Sequence, residues 1–157
     1  LIMNAEVYFI DEANTLIDDN IKNSYVDSMI EMFDPIDINL IYKTTVVPTR
    51  NKIEQAFRET KRTSENIDIV ICIGGLYGNQ DCIIKKFFNN YQIDFTLSNR
   101  KMIKAEVLYS EEGIIPGYIV KFWGMDVYLL PYLRNETLNL IKKYMIPNLL
   151  IRRVLNE

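Results

Sequence analysis

The residues best placed for chemistry in this 157-residue chain lie in one run, DIVICIGGLYGNQDC, positions 68–82. An apolar stretch ends in Gly74 and Gly75, and a lone acid, Asp81, follows six residues later. A glycine pair lets the backbone turn tightly and bring its N–H groups close to a phosphate. The acid could ligate a divalent cation or a polar ligand group; equally, it could cap the helix that follows. A plain strand-to-helix turn needs the same residues, so both readings stand at this point. Asp11 and Glu12 form a second candidate pair, because they too follow an apolar run, although solvated loop acids are common.

The residue inventory removes several chemistries. The chain has no histidine, which excludes Ser-His and Cys-His nucleophiles and histidine-ligated metals. Cys72 and Cys82, the two cysteines, have neither metal-site nor disulfide-framework spacing. Cys72 falls in the middle of an apolar run and reads as a small core residue. Cys82 stands beside the loop acid, where a thiol can be exposed, but no neighbouring base or cation would hold it as a thiolate. Any catalysis must therefore use carboxylates and backbone amides, with or without a bound cation.

These groups need elements to position them. AEVYFI (5–10) reads as a strand. Residues 19–33 carry Ile21, Tyr25, Met29 and Phe33 at helical spacing, with Asp18 and Asp19 as caps and Pro35 as the stop. Residues 37–47 are rich in branched and aromatic side chains and read as strand. Pro48 and Thr49 open a helix over 50–63 with Ile53 and Phe57 inward. Residues 67–73, apolar almost throughout, suit a parallel strand covered on both faces. A short helix over 80–89 follows. Residues 104–110, 117–124 and 125–131 are strand-like, the last two forming an antiparallel hairpin around Trp123-Gly124-Met125. A closing helix over 134–155 is expected to kink or break before Pro147. Strand and helix alternate and a hairpin comes late, which gives a three-layer α/β/α domain with a mostly parallel sheet.

Apolar residues make up 48% of the chain, enough to fill one sizeable core. A net charge of −3 with dispersed lysines and arginines argues against a nucleic-acid partner, which needs a basic stripe. No apolar run reaches membrane-spanning length and no signal peptide precedes the first strand, so a cytoplasmic protein is expected. Tyr118, Phe122, Trp123 and Tyr128 crowd the hairpin. Alternate positions on a hairpin face opposite ways, so an exposed aromatic group and a homodimer are expected.

Six stretches in order resemble the amino-terminal domain of competence-damage-inducible (CinA-type) proteins and, more widely, the MoaB/Mog molybdopterin-binding superfamily. AEVYFI is similar to the opening strand and NSYVDSM to the first helix of that family. DIVICIGGLYGNQD resembles its strand and Gly-Gly-Leu-Gly-Pro-Thr-x-Asp loop. NRKMIKAEVL, GIIPGYIV and VYLLPYLRNET resemble later segments. The resemblance implies a single MoaB/Mog-like domain over 1–157, without the deamidase domain that often follows in CinA proteins. It also implies a ligand site built from Gly74, Gly75, Leu76, Gly78, Asn79, Gly113, Pro116, Gly117 and Glu136. Asp81 would be the catalytic group, and Asp11, Glu12 and Asp81 would hold Mg²⁺ or another divalent cation.

Departures from the family pattern bear on activity. Tyr77 stands where the family loop has its third glycine, Cys82 replaces a second acid, and Val47-Pro48-Thr49 replaces Val-Gly-Asp. The segment between Asp81 and Asn99 is several helical turns shorter than in the family. These losses lead to the expectation of a diverged module that binds a small phosphorylated ligand, nucleotide or pterin, or acts in protein interaction, with weak or no catalysis. Two rival expectations are a metal-dependent ADP-ribose pyrophosphatase and a binder of molybdopterin or its precursor.

Overall fold

The computed structural model of the protein describes residues 2–11, 18–76, 82–95, 103–109 and 115–156. Strand β1 (Met3–Ile10) leads to helix α1 (Asp19–Phe33), then β2 (Ile38–Val46), α2 (Arg50–Arg62), β3 (Ile69–Ile73) and α3 (Ile83–Asn89). The short strands β4 (Ile93–Asp94), β5 (Ile103–Lys104) and β6 (Glu106–Leu108) precede the hairpin of β7 (Gly117–Phe122) and β8 (Met125–Leu130). Helix α4 (Arg134–Leu140), a π-helical segment over Ile141–Met145 and α5 (Ile146–Asn156) close the chain.

Six strands form a mixed sheet in the order β2-β1-β3-β8-β7-β6. Strands β2, β1, β3 and β8 run parallel, while β7 pairs antiparallel with both β8 and β6. β3 is central, as its two-sided apolar run requires, and every one of its residues is buried. Its side chains alternate between two cores. Val70 and Cys72 face α2 and α3, where Ile53, Phe57, Ile84, Phe87 and Phe88 pack. Ile69, Ile71 and Ile73 face α1 and the carboxy-terminal helices, against Tyr25, Met29, Phe33, Leu140, Ile141 and Met145. The result is a three-layer α/β/α domain.

Local signals set the helices. Asp18 accepts the Ile21 N–H at 2.9 Å and Thr49 accepts the Lys52 N–H at 3.3 Å, each satisfying a donor that a helix start leaves open. α2 buries Ile53, Ala56, Phe57 and Thr60, a stripe spaced by three and four residues. A carboxylate enters the interior on this side. Glu6 is buried, and its two carboxylate oxygens accept the Thr44 and Thr60 hydroxyls at 2.7 and 2.8 Å. Tyr8, next on the same face, donates to the Ala56 carbonyl at 3.1 Å and also contacts the Thr60 hydroxyl.

The structure corrects three expectations. Residues 104–110 do not form one strand: β5 pairs with β4 in a separate two-stranded sheet, and after Ala105 the chain joins the main sheet as β6. The hairpin aromatics are not an exposed group either. Tyr118, Phe122 and Tyr128 are buried because helices cover both faces of β7 and β8, and only Trp123 is substantially exposed. Trp123 occupies the two-residue turn at φ 50°, followed by Gly124 at φ 80°, the positive values that such a turn requires. Its ring stacks on Phe122 with centroids 4.4 Å apart. The third correction concerns Cys82, which is buried rather than exposed. The closing helix is interrupted before Pro147, as expected, by the π-helical segment, in which the Ile146 N–H reaches the Ile141 carbonyl.

Candidate functional site

Parallel strands gather their carboxyl ends at one edge of a sheet, and that edge is where loops from several strands meet. Here β1 delivers Asp11, β2 delivers Val47-Pro48-Thr49, β3 delivers Gly74-Gly75-Leu76 and β8 delivers Pro131. β7 runs the other way, so its first residue, Gly117, and the preceding Pro116 lie at the same edge; Tyr118 pairs with Leu129 near the end of β8. The edge therefore collects Asp11, Gly74, Gly75, Leu76, Pro116 and Gly117 from the expected set, with Glu136 in the first turn of α4 just beyond β8. Glu12, Gly78, Asn79, Asp81 and Gly113 lie outside the described residues.

The two glycines of the β3 loop have packing reasons of their own. Gly74 takes φ 95°, donates its N–H to the Leu130 carbonyl at 3.0 Å, and would place a Cβ 3.1 Å from the Ile10 carbonyl oxygen. Gly75 takes φ 82°, and a Cβ there would stand 2.4 Å from Cγ1 of Ile84. The Ile84 N–H in turn donates to the Gly75 carbonyl at 3.3 Å. The pair thus seats α3 on the end of β3. The Leu76 side chain enters the core on the α2/α3 side, which leaves its backbone as the part of the residue at the edge. Gly117 is also required by packing, since a Cβ would meet the Leu129 carbonyl oxygen at 2.9 Å.

The acids are arranged more loosely. Asp11 is exposed, with its N–H held by the Val46 carbonyl at 2.9 Å. Glu136 is half-buried. Among the described residues no three histidine, cysteine or acidic side chains converge so as to hold a metal ion. Thr49, where the resemblance would put an acid, is instead the N-cap of α2.

The β8–α4 turn is pinned from beneath. Tyr25 donates its hydroxyl to the Tyr132 carbonyl and Thr137 donates to the Pro131 carbonyl, so two successive peptide units are fixed by buried side chains. Burial pushes the Tyr25 phenol up to about 12, against the opposing pull of the Thr137 hydroxyl. A groove between α1 and α4 is a second opening, but Arg134 crosses to Ser28 at 2.6 Å, and Glu31 and Lys142 give its walls mixed charge. It presents no convergent polar set.

One charged residue at the carboxyl edge went unnoticed in the sequence. Lys85, in the first turn of α3, is 3% exposed, and its ammonium lies 4.8 Å from the centroid of the Tyr118 ring. No ion pair to it is formed among the described residues. A desolvated cation–π contact contributes about 2 kcal/mol, against a desolvation cost of several kcal/mol for a buried ion. Its three-residue spacing to Phe88, which places it on the buried side of α3, is the signal that marks it.

No protein-family model matches the sequence, and no curated protein matches it either. Solved structures do. The chain is similar to the protein CinA of unknown function from Thermoplasma acidophilum, with 20% identity, a TM-score of 0.60, and 90% of this chain and 95% of that one covered. It is similar to a molybdenum cofactor biosynthesis protein B at 12% identity and TM-score 0.67, covering 95% and 92%. The tungsten cofactor synthesizing protein MoaB from Pyrococcus furiosus matches at 14% identity and TM-score 0.57, covering 94% and 95%. At these identities the likeness is one of fold: the chain has the CinA/MoaB architecture along nearly its whole length.

Proposed function

We propose that this CinA/MoaB-fold domain binds a small phosphorylated ligand, a nucleotide or a pterin, at the carboxyl edge of its sheet and turns it over weakly or not at all. The observation that carries this reading is the β2–α2 corner. An edge built from four parallel strand ends suits a ligand, while Thr49 there is committed to capping α2 and supplies no carboxylate. Loss of one transition-state-stabilising group commonly costs on the order of 10²–10³ in rate. The cofactor names carried by the MoaB structures put a pterin beside the nucleotide as a ligand to try. Binding of ADP-ribose and of a phosphorylated pterin should be measured by calorimetry with Mg²⁺, Mn²⁺ or Co²⁺ present, and hydrolysis of ADP-ribose followed in the same samples. Saturable binding with turnover no faster than the uncatalysed control is expected. Robust metal-dependent hydrolysis that Asp81→Ala abolishes would overturn this reading in favour of a pyrophosphatase.

A further inference from the structure

We infer that the outward face of α5 is a dimer interface, on which a second copy of this chain packs its own α5 antiparallel about a two-fold axis. The hairpin aromatics are buried and supply no such surface, but the closing helix does. Leu150, Ile151, Val154 and Leu155 are 41%, 57%, 72% and 78% exposed, and Pro147, one turn earlier, is exposed as well. These five residues recur at spacings of three and four, which puts them on one side of the helix. Met145 and Leu149 enter the core on the other side. A helix that is apolar outward as well as inward is a helix that something covers.

Charge identifies the cover. Arg152 reaches the buried Asp126 carboxylate at the start of β8, which also holds Lys121, and Asn148 bonds the Tyr128 hydroxyl. Both polar side chains described in α5 thus turn to the sheet, and the stripe is left neutral. The lysines ahead of it are placed elsewhere: Lys142 lines the groove between α1 and α4, and Lys143 lies over the Tyr144 ring. A helix that lies on a membrane sets lysine and arginine around its apolar face, and a net charge of −3 does not favour an anionic surface. The complement of a neutral aliphatic stripe is another one, and a second copy brings it. Leu150, Ile151, Val154 and Leu155 are symmetric about the point midway between Ile151 and Val154. An antiparallel copy centred there sets Ile151 against Val154 of the second copy and Leu150 against its Leu155, which is a self-complementary contact. Four aliphatic side chains and a proline cover less than the about 800 Å² per subunit of a standard interface, so this dimer dissociates on dilution. The Arg152–Asp126 pair ties α5 to the start of β8, at the opposite end of that strand from the carboxyl edge. The interface is therefore independent of what that edge binds.

The test is sedimentation equilibrium of the whole chain over a concentration series. Wild type should pass from monomer to dimer with a midpoint in the micromolar range. Ile151→Glu and Val154→Lys, both at exposed positions, should each weaken the dimer tenfold or more. An equal mixture of the two should recover a one-to-one dimer, because the antiparallel register sets the introduced acid against the introduced amine. A wild type that stays monomeric throughout overturns the inference, and one that also binds phosphatidylglycerol vesicles through these residues gives the face to a membrane instead. A dimer that both variants leave intact overturns it as well. Variants that dissociate and do not recover on mixing overturn the antiparallel pairing. Should either variant fail to fold, methyl NMR of wild type, assigned with Ile151→Val and Val154→Ala, decides: the Ile151 and Val154 signals must move on dilution, and signals that stay put while the dimer dissociates overturn the inference.

Discussion

Gly75 and Gly124 have nearly the same φ, 82° and 80°, yet their surroundings differ completely. A Cβ on Gly75 meets Ile84 at 2.4 Å, whereas a Cβ on Gly124 meets nothing within 4 Å. Alanine at Gly124 should therefore cost only the left-handed backbone, about 1–2 kcal/mol. Alanine at Gly75 should cost that and a further ~1–3 kcal/mol of overlap with α3. Urea unfolding of the two variants measures the difference, and equal losses would show that the Ile84 contact is not what keeps Gly75 a glycine. The residue scale also shows where the candidate site was readable in the sequence. Gly74 and Gly75 were visible as backbone necessities, since glycine is the residue that takes positive φ freely. Lys85 was not, because a lysine in an exposed-looking Lys-Lys pair reads as solvated until Tyr118, 33 positions later, is brought over it.

At the scale of elements, local signals decided most of the fold. Caps at Asp18 and Thr49, the two-faced apolar run of β3 and the Trp123-Gly124 turn each act within a few residues, so their helices, strand and hairpin are legible in the chain. What was not legible depends on partners distant in sequence. The split of 104–110 into β5 and β6 arises from two different sheets competing for neighbouring residues, and the burial of the hairpin aromatics depends on which helices cover them. The β8–α4 turn is another such long-range arrangement, held by Tyr25 from 107 positions away. The burial of that phenol carries a pH dependence. Below pH 10 the phenol is protonated whether the chain is folded or not. Between pH 10 and about 12 only the unfolded phenol ionises, so stability present below pH 10 is lost as the pH rises through this window. Two units correspond to about 3 kcal/mol at most. Tyr25→Phe should lose ~1 kcal/mol at pH 8 with the hydrogen bond, and then fall less steeply than wild type between pH 10 and 11.5. Guanidinium unfolding across that range checks it, with parallel curves counting against the assignment.

Over the whole molecule, one sheet serves two cores, and β3 contributes side chains to both. Neither helical layer can leave without exposing one face of the same strands. Unfolding should accordingly be a single cooperative event. Trp123, the one tryptophan, stacks on Phe122 and meets Tyr91 edge-on at 5.9 Å, so its fluorescence reports the α2/α3 side. Far-UV circular dichroism reports both layers. The two denaturation curves should coincide within error; separated midpoints would show that the layers melt independently.

The π-helical segment ahead of Pro147 has a consequence for sequence change in this chain. A helix advances 100° per residue, so a π turn holds one residue more than an α-helical path through the same place needs. Ile141 and Met145 both reach the core across it, and Leu149 does so again in α5, while Leu150 and Ile151 stay outside. The extra residue is thus absorbed without turning α5 away from the sheet. Loss of one exposed residue there, such as Lys142, would let the stretch close into a regular α-helix while Leu149 and the residues after it keep their present faces. The same deletion inside α5, where there is no surplus residue, would turn every later side chain by about 100°. One position of length is therefore spare in this stretch and nowhere else along the closing helices that the structure describes.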